Sequence, residues 1–299
     1  MNTLSSSTSR GARQPLVAAA AVAFTIVSWA SAFPFIRIGL HGLAPLQLAA
    51  ARFATAALLV IAWLAWRRPP LPTKVDAWRF LACGLLGIAL YNALLNTGEQ
   101  TVSAGAASFI VNTLPIFTAL LAAVFLRERF NRWGWLGSLV SLAGIAVIAR
   151  GQPGGLVLGS GSTLILAAAL CSASYFVLQR RLIPVYGALP CTAYTLLAGA
   201  VLLAPWLPGA LVSLGGGSRD TALAVVVLGV FPAALGYATW TFVLGYFGAA
   251  RAASFLYLTP AVATLLSVVL TGERPGIATA CGGLLAIAGV VVVALRGRS

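Results

Sequence analysis

Few side chains in this 299-residue sequence could do chemistry on a ligand: five are acidic, 19 are basic and one is a histidine. Arg52 stands about 10 Å inside a long apolar run if a helix starts near Pro45, at 1.5 Å per residue. An intramembrane charge is costly and usually faces a cavity or a partner. Arg52 is therefore read either as a counter-ion for a ligand carboxylate or as an arginine reaching for headgroups or freed carbonyls. Glu99 falls between two apolar runs, where it is expected to be solvated. Glu128-Arg129 and Glu273-Arg274 each precede an apolar run, and a carboxylate there suits the positive end of a helix dipole. His41 sits between glycines near a run's end. Cys83, Cys171, Cys191 and Cys281 are scattered, with no CxxC and no histidine nearby. That pattern points to packing thiols and to neither a metal, a cofactor nor a catalytic pair.

The remaining candidates are polar and aromatic residues that interrupt otherwise apolar stretches. Asn92, Asn96 and Glu99 share one helical face by their i, i+4, i+7 spacing. Tyr237, Trp240, Thr241 and Leu244 share another. Asn112 lies one turn before Pro115, and Tyr257 lies just before Pro260. Ser174, Tyr175 and Gln179 cluster in a third place. Such a lining of aromatics and amides suits an uncharged or zwitterionic amphipathic solute, although buried Asn and Ser also serve as glue between helices. Pro115 and Pro260 each remove a backbone hydrogen bond in mid-run, which makes them either hinges or static kinks.

The elements that must position these residues follow from composition. The chain is 60% hydrophobic and 8% charged, with mean hydropathy +0.98. Soluble domains are about 25% charged. The sequence is that of an integral membrane protein, which excludes a soluble enzyme, a nucleic-acid binder and a disordered chain. Charges divide the chain into ten apolar spans near 15–38, 45–66, 77–97, 103–126, 132–150, 158–181, 189–207, 220–246, 250–270 and 275–295. Asp76, Asn131 and Asp220 are candidate N-caps. Ala30-Ser31-Ala32 resembles a signal-peptide cleavage site, but the first run is long enough to cross a bilayer and is read as span 1. With the N-terminus inside, fourteen basic residues fall on the cytoplasmic side and four on the other. That asymmetry places both termini in the cytoplasm.

The chain also repeats itself at a shift of 143 to 146 residues. Ala106-Ala107-Ser108-Phe109 recurs as Ala252-Ala253-Ser254-Phe255, Pro115 as Pro260, Glu128-Arg129 as Glu273-Arg274, Tyr91 as Tyr237, and Arg37 as Arg180. Five spans is an odd number, so the second copy enters from the opposite side. The expected fold is an all-α membrane protein of ten transmembrane helices, built as two inverted five-helix repeats. The expected segments are a cytoplasmic tail at 1–14, repeat 1 at 15–150, a Gly/Pro-rich linker at 151–157 and repeat 2 at 158–299. Paired interruptions in matching helices point to a site near midplane, with Pro115 and Pro260 as the hinge. The glycine-rich spans 5 and 10 read as peripheral struts or a homodimer face.

These motifs together resemble the drug/metabolite transporter superfamily, specifically ten-helix carriers with two EamA-type repeats. The resemblance rests on Ser28-Trp29-Ala30-Ser31-Ala32-Phe33, Arg52-Phe53, the paired AASF segments with Pro115 and Pro260, and the two Glu-Arg pairs. Ala30 and Ala32 replace a glycine and a polar residue of the commoner first-helix motif, which makes that end of the cavity less polar. The resemblance implies an alternating-access carrier of small metabolites in a bacterial inner membrane, often an amino-acid exporter, with no cofactor and no nucleic-acid partner. The expected substrate-binding set is Trp29, Ser31, Arg52, Tyr91, Asn92, Asn96, Asn112, Ser174, Tyr175, Tyr237, Trp240 and Tyr257. A multidrug carrier would want a membrane-embedded carboxylate, and a nucleotide-sugar carrier several cavity cations. An intramembrane enzyme would want a nucleophile with its base, and a channel a filter or a ring of charge. With no Asp or Glu inside any span, a passive carrier or exchanger is expected over proton coupling.

Overall fold

A run of apolar residues inside a bilayer must satisfy its own backbone, and helix is the local way to do so. The computed structural model describes residues 6–102, 104–128, 131–150, 159–262, 266 and 277–296, and every regular element among them is helical. In chain order these are α1 (Ser6–Leu40), α2 (Pro45–Arg67), α3 (Lys74–Gly98), α4 in two pieces (Ala104–Val111 and Leu114–Phe125) and α5 (Arg132–Arg150). They continue as α6 (Ser160–Tyr186), α7 (Ala188–Gly215), α8 (Arg219–Phe247), α9 (Ala249–Ser254, running on as a tighter turn over Phe255–Leu258) and α10 (Ile277–Arg296). Among the described residues, seven helices are long and apolar enough to cross a membrane. Large apolar side chains such as Leu58, Trp78, Val124, Val212 and Leu284 stay on the outside, as a protein solvated by lipid requires.

Local chemistry fixes the helix starts. Asn131 caps α5, its Oδ1 accepting from the Gly134 amide at 3.0 Å. The other two expected caps need correction. Thr73, not Asp76, caps α3, accepting from the Asp76 amide at 3.2 Å. Ser218, not Asp220, caps α8. In both cases a hydroxyl in extended backbone reaches the first-turn amides, and the aspartate lies within that turn, where its charge meets the dipole.

Two helices carry a widened π turn, α3 at Leu85–Leu90 and α8 at Gly229–Leu235. These turns lie just before Tyr91 and Tyr237, which stand 146 residues apart in the sequence. Such insertions leave backbone groups partly unpaired and often mark functional places.

Packing joins the first half of the chain to the second. α1 lies against α8, α2 against α7, α3 against α6 and α7, α4 against α6 and α9, and α5 against α10. Small residues allow the closest approaches. A Cβ on Gly144 would lie 2.5 Å from the Ala286 nitrogen, and Ser141 Oγ donates to the Ala286 carbonyl at 2.9 Å. The glycines of α5 and α10 thus pack these helices against each other.

Candidate functional site

Between the halves lies a narrow cavity of about 70 Å³, which opens into a wider mouth. Its wall is apolar and aromatic, with a few convergent polar groups, as small-molecule sites usually are. α1 contributes Trp29, Ala32, Phe33 and Ile36, one helical face running toward the end of the helix that carries Arg37. α3 contributes Tyr91 and Leu95, and α4 contributes Val111, Asn112 and Leu114. Ser172 and Phe176 come from α6, Tyr237 from α8, and Leu256 and Thr259 from α9.

Arg52 of α2 is the charged residue of this wall. It is 5% exposed. Its Nη1 donates to Asn92 Oδ1 at 3.2 Å, and Asn92 is held in turn by donating to the Ile88 carbonyl at 2.8 Å. The guanidinium carbon lies 5.1 Å from the Phe53 ring centre. Its Nε has no partner, and no carboxylate of the described residues lies within ion-pair distance. A buried, under-satisfied guanidinium is the group that a planar oxyanion would complete.

Aromatic rings floor the cavity. Trp29 packs on Tyr237 at 5.6 Å and on Trp240 at 5.3 Å, and Phe176 packs on Trp240 at 4.6 Å. The rings also reach the π turns of the opposite half. Tyr237 donates its hydroxyl to the Gly87 carbonyl at 2.9 Å, and Trp29 Nε1 donates to the Pro232 carbonyl at 3.0 Å. Carbonyls in widened turns thus find donors across the interface between halves, as buried backbone groups must. Gly87 is required there, because a Cβ would run into the Tyr175 ring.

Of the expected binding set, the structure brings Trp29, Arg52, Tyr91, Asn112 and Tyr237 to the wall, with Asn92 holding Arg52. Six others lie elsewhere. Ser31 donates to the Ser28 carbonyl and is two residues off the Trp29–Phe33 face. Ser174 donates to the Leu170 carbonyl on the outer side of α6, while Ser172, one turn before Phe176, takes the wall position. Asn96 donates to the Pro45 carbonyl and ties α3 to the start of α2. Tyr175, Trp240 and Tyr257 are fully buried behind the wall. Pro115 sits in the first turn of the second piece of α4. The amide that a proline lacks would have bonded the carbonyl four residues earlier. For Pro115 and Pro260 those carbonyls belong to Val111 and Leu256, which both line the cavity.

Two carboxylates differ from expectation. Glu128 caps α9, not α5. Its Oε1 and Oε2 accept from the Ala249 and Ala250 amides, each at 3.1 Å, with Arg180 Nε 3.7 Å away. Gly248 makes the approach possible with φ +81°. Glu273 and Arg274 lie outside the described residues, as do Arg129 and the 151–157 linker. Glu99 is not solvated. It directly follows the last residue of α3, is 2% exposed, and neither carboxylate oxygen has a hydrogen-bond partner. Burial pushes its carboxyl up to about 8, against the opposing pull of Arg37 and Arg52. Next to it, Gly98 lies against Gly161 and Ile165 of α6, which brings this end of α3 onto the second half of the chain.

Comparison with known proteins gives the context. The sequence profile of the EamA-like transporter family matches twice, over residues 16–150 and 159–295. The chain is 38% identical over 268 residues to "Uncharacterized transporter YdfC" of Bacillus subtilis, covering 90% of this chain and 88% of that one. It is 37% identical to the "Probable terminal-alkyne amino-acid exporter" of Streptantibioticus cattleyicolor, covering 92% and 93%. It is 32% identical to "Uncharacterized inner membrane transporter YedA" of Escherichia coli, covering 83% and 80%. A solved crystal structure shares the fold with a TM-score of 0.72 at 23% identity, covering 92% of this chain and 98% of that one. The family and its named relatives are transporters and not enzymes, and the apolar spans are those of a multi-pass membrane protein. On the two profile matches and these identities, the chain belongs to the EamA-like transporter family.

Proposed function

We propose that this protein is an alternating-access exporter or exchanger of small amphipathic carboxylates, amino acids foremost, with Arg52 as the carboxylate-binding group. The observation that carries this reading is the Arg52 guanidinium, buried at the cavity wall with an unpartnered Nε and, among the described residues, no carboxylate within ion-pair distance. A ligand carboxylate would supply the missing acceptor, and the apolar rings and Leu95, Val111 and Leu256 would cover an aliphatic or aromatic side chain. A cationic drug would meet a like charge at the same wall. The relative named as a probable terminal-alkyne amino-acid exporter supports an amino acid as the solute.

The scaffold for this cycle is ten helices in two inverted halves, 15–150 and 158–299, joined by 151–157. Two features support that layout. The family profile matches twice. The helix pairings are also preserved when α1–α5 are exchanged with α6–α10: α1–α8 becomes α6–α3, while α2–α7, α4–α9 and α5–α10 map onto themselves. The basic-residue bias supports cytoplasmic termini in a bacterial inner membrane. In that orientation the cavity runs outward along Trp29, Phe33 and Ile36, and the Glu128 cap on α9 closes the cytoplasmic end. Movement of Pro115 and Pro260 would open that end in turn. The α5–α10 face is available to a second copy, but the cavity is complete within one chain.

Counterflow in proteoliposomes with labelled amino acids, sugars and organic cations tests the reading. Amino acids should exchange and cations should not; exchange of cations with no amino-acid signal would overturn it.

A further inference from the structure

Glu99 has no part in the cavity wall, yet its placement is unusual. Its side chain is buried, both oxygens lack hydrogen-bond partners, and it stands one turn beyond Leu95, which lines the cavity. The charged and titratable groups that face it come from three helices. Arg37 of α1 acts on it most strongly and Arg52 of α2 next, while Tyr91 lies two turns back on α3 itself. α6 meets this end with Gly161 and Ile165, which do not titrate. His41, farther along the α1–α2 connection, is exposed.

We infer that Glu99 is a proton-binding carboxylate electrically linked to Arg52, so that loading a carboxylate solute on Arg52 brings a proton onto Glu99. The inference rests on the reading of Arg52 given above for its transport consequence, but the linkage itself needs no substrate. A buried carboxyl without partners favours its neutral form, and the field of a nearby guanidinium favours the anion. A solute carboxylate on Arg52 cancels that field, and the proton balance follows: one proton leaves bulk water and joins Glu99, with no other bond made or broken. By reciprocity, deprotonating Glu99 changes solute affinity by the same factor. This removes the ground for a passive carrier, because a buried carboxylate is present after all.

The test is infrared titration of the protein in liposomes. With five acidic residues in the chain, a Glu99→Gln variant assigns the band unambiguously. The expected result is a protonated-carboxyl band that titrates near 8 and is absent in Glu99→Gln. Arg52→Gln should raise the midpoint by about one pH unit or more, and Arg52→Lys should leave it near the wild-type value. Absence of a Glu99 band titrating below about pH 10, or a midpoint unmoved by Arg52→Gln, would overturn the linkage. A second measurement uses wild-type protein alone, so it holds even if Arg52→Gln does not fold. Phenylalanine is added near pH 8 with a pH-sensitive dye, and the linkage predicts proton uptake that Glu99→Gln abolishes. Proton release would overturn it, since that sign means the solute ammonium pairs with Glu99, and so would binding with no proton change. If phenylalanine does not bind at all, the amino-acid reading fails while the infrared titration still decides the linkage.

Discussion

Tyr237→Phe separates the two jobs assigned to this side chain. The ring, packed on Trp29, Phe53 and Tyr175, is kept, and only the hydroxyl that donates to the Gly87 carbonyl at 2.9 Å is lost. That carbonyl belongs to the π turn of α3, in the half of the chain opposite Tyr237, so the bond ties the halves together in this conformation. Leaving a buried acceptor unpaired costs about 1–3 kcal/mol. If the inward-open state of the proposed cycle does not use this bond, the equilibrium constant shifts away from the present conformation by that amount, and 1.4 kcal/mol is about tenfold. The assay is thiol labelling of Ser172→Cys, a cavity-wall position, in a background lacking the four native cysteines. From the outer side, labelling should slow in Tyr237→Phe, by up to about tenfold where the present conformation is the minor one. Tyr91→Phe is the control, because the Tyr91 hydroxyl makes no hydrogen bond among the described residues. Equal labelling and equal exchange rates in wild type and Tyr237→Phe would refute the idea that this bond holds one state. Tyr237→Ala is a poorer probe, since removing so buried a ring costs about 3–5 kcal/mol of stability and confounds binding with folding.

Glu128→Gln should lower thermal stability by about 1 kcal/mol or more, because it weakens charge-assisted caps on the Ala249 and Ala250 amides, and Arg180→Gln should cost less. An Arg180→Gln loss equal to or larger than that of Glu128→Gln would argue that the ion pair, not the cap, is the stabilising contact. Stability should fall as pH rises from the ordinary carboxylate range to 8, since Glu99 holds a proton when folded that it loses when unfolded. The slope should reach at most about 1.4 kcal/mol per pH unit. Glu99→Gln should flatten that slope, and an unchanged slope would show that another group is responsible. Cysteines at Ser6 and Gly297 should label from the cytoplasm and one at Gly154 from outside; labelling of Gly154 and Ser6 from the same side would contradict the inverted repeat.

What could be read from sequence, and what could not, follows from the solvent. Arg52, Trp29, Tyr91, Asn112 and Tyr237 stood out because polar and aromatic side chains are rare against apolar helices. Phe33, Ile36, Leu95 and Leu256 did not, because a helix between lipid and an apolar cavity is apolar on both faces, and hydropathy cannot tell one from the other. Spacing could have helped. Phe33 and Ile36 follow Trp29 at i+4 and i+7, a face that excludes Ser31, and Ser172 stands four before Phe176, a face that excludes Ser174. The π turns left a signal only in α8, where Pro232 interrupts the helix; α3 has the same turn without a proline. The burial of Glu99 is not legible in the sequence, because a charge at the end of an apolar run is usually wet. Beside it Gly98 meets Gly161 and Ile165 of α6, a long-range contact that no local pattern encodes.

Whether Arg52 holds the solute carboxylate is decided by competition between an amino acid and its amide for counterflow, in wild type and in Arg52→Gln. Phenylalanine and phenylalaninamide differ at the carboxylate that Arg52 is assigned to hold. A buried guanidinium–carboxylate bond is worth about 1.5–3 kcal/mol, so the amide should compete roughly ten- to a hundredfold more weakly in wild type. In Arg52→Gln, at comparable membrane yield, exchange should fall sharply, and acid and amide should inhibit whatever exchange remains equally. Equal competition by acid and amide in wild type, or full exchange in Arg52→Gln, would contradict the account.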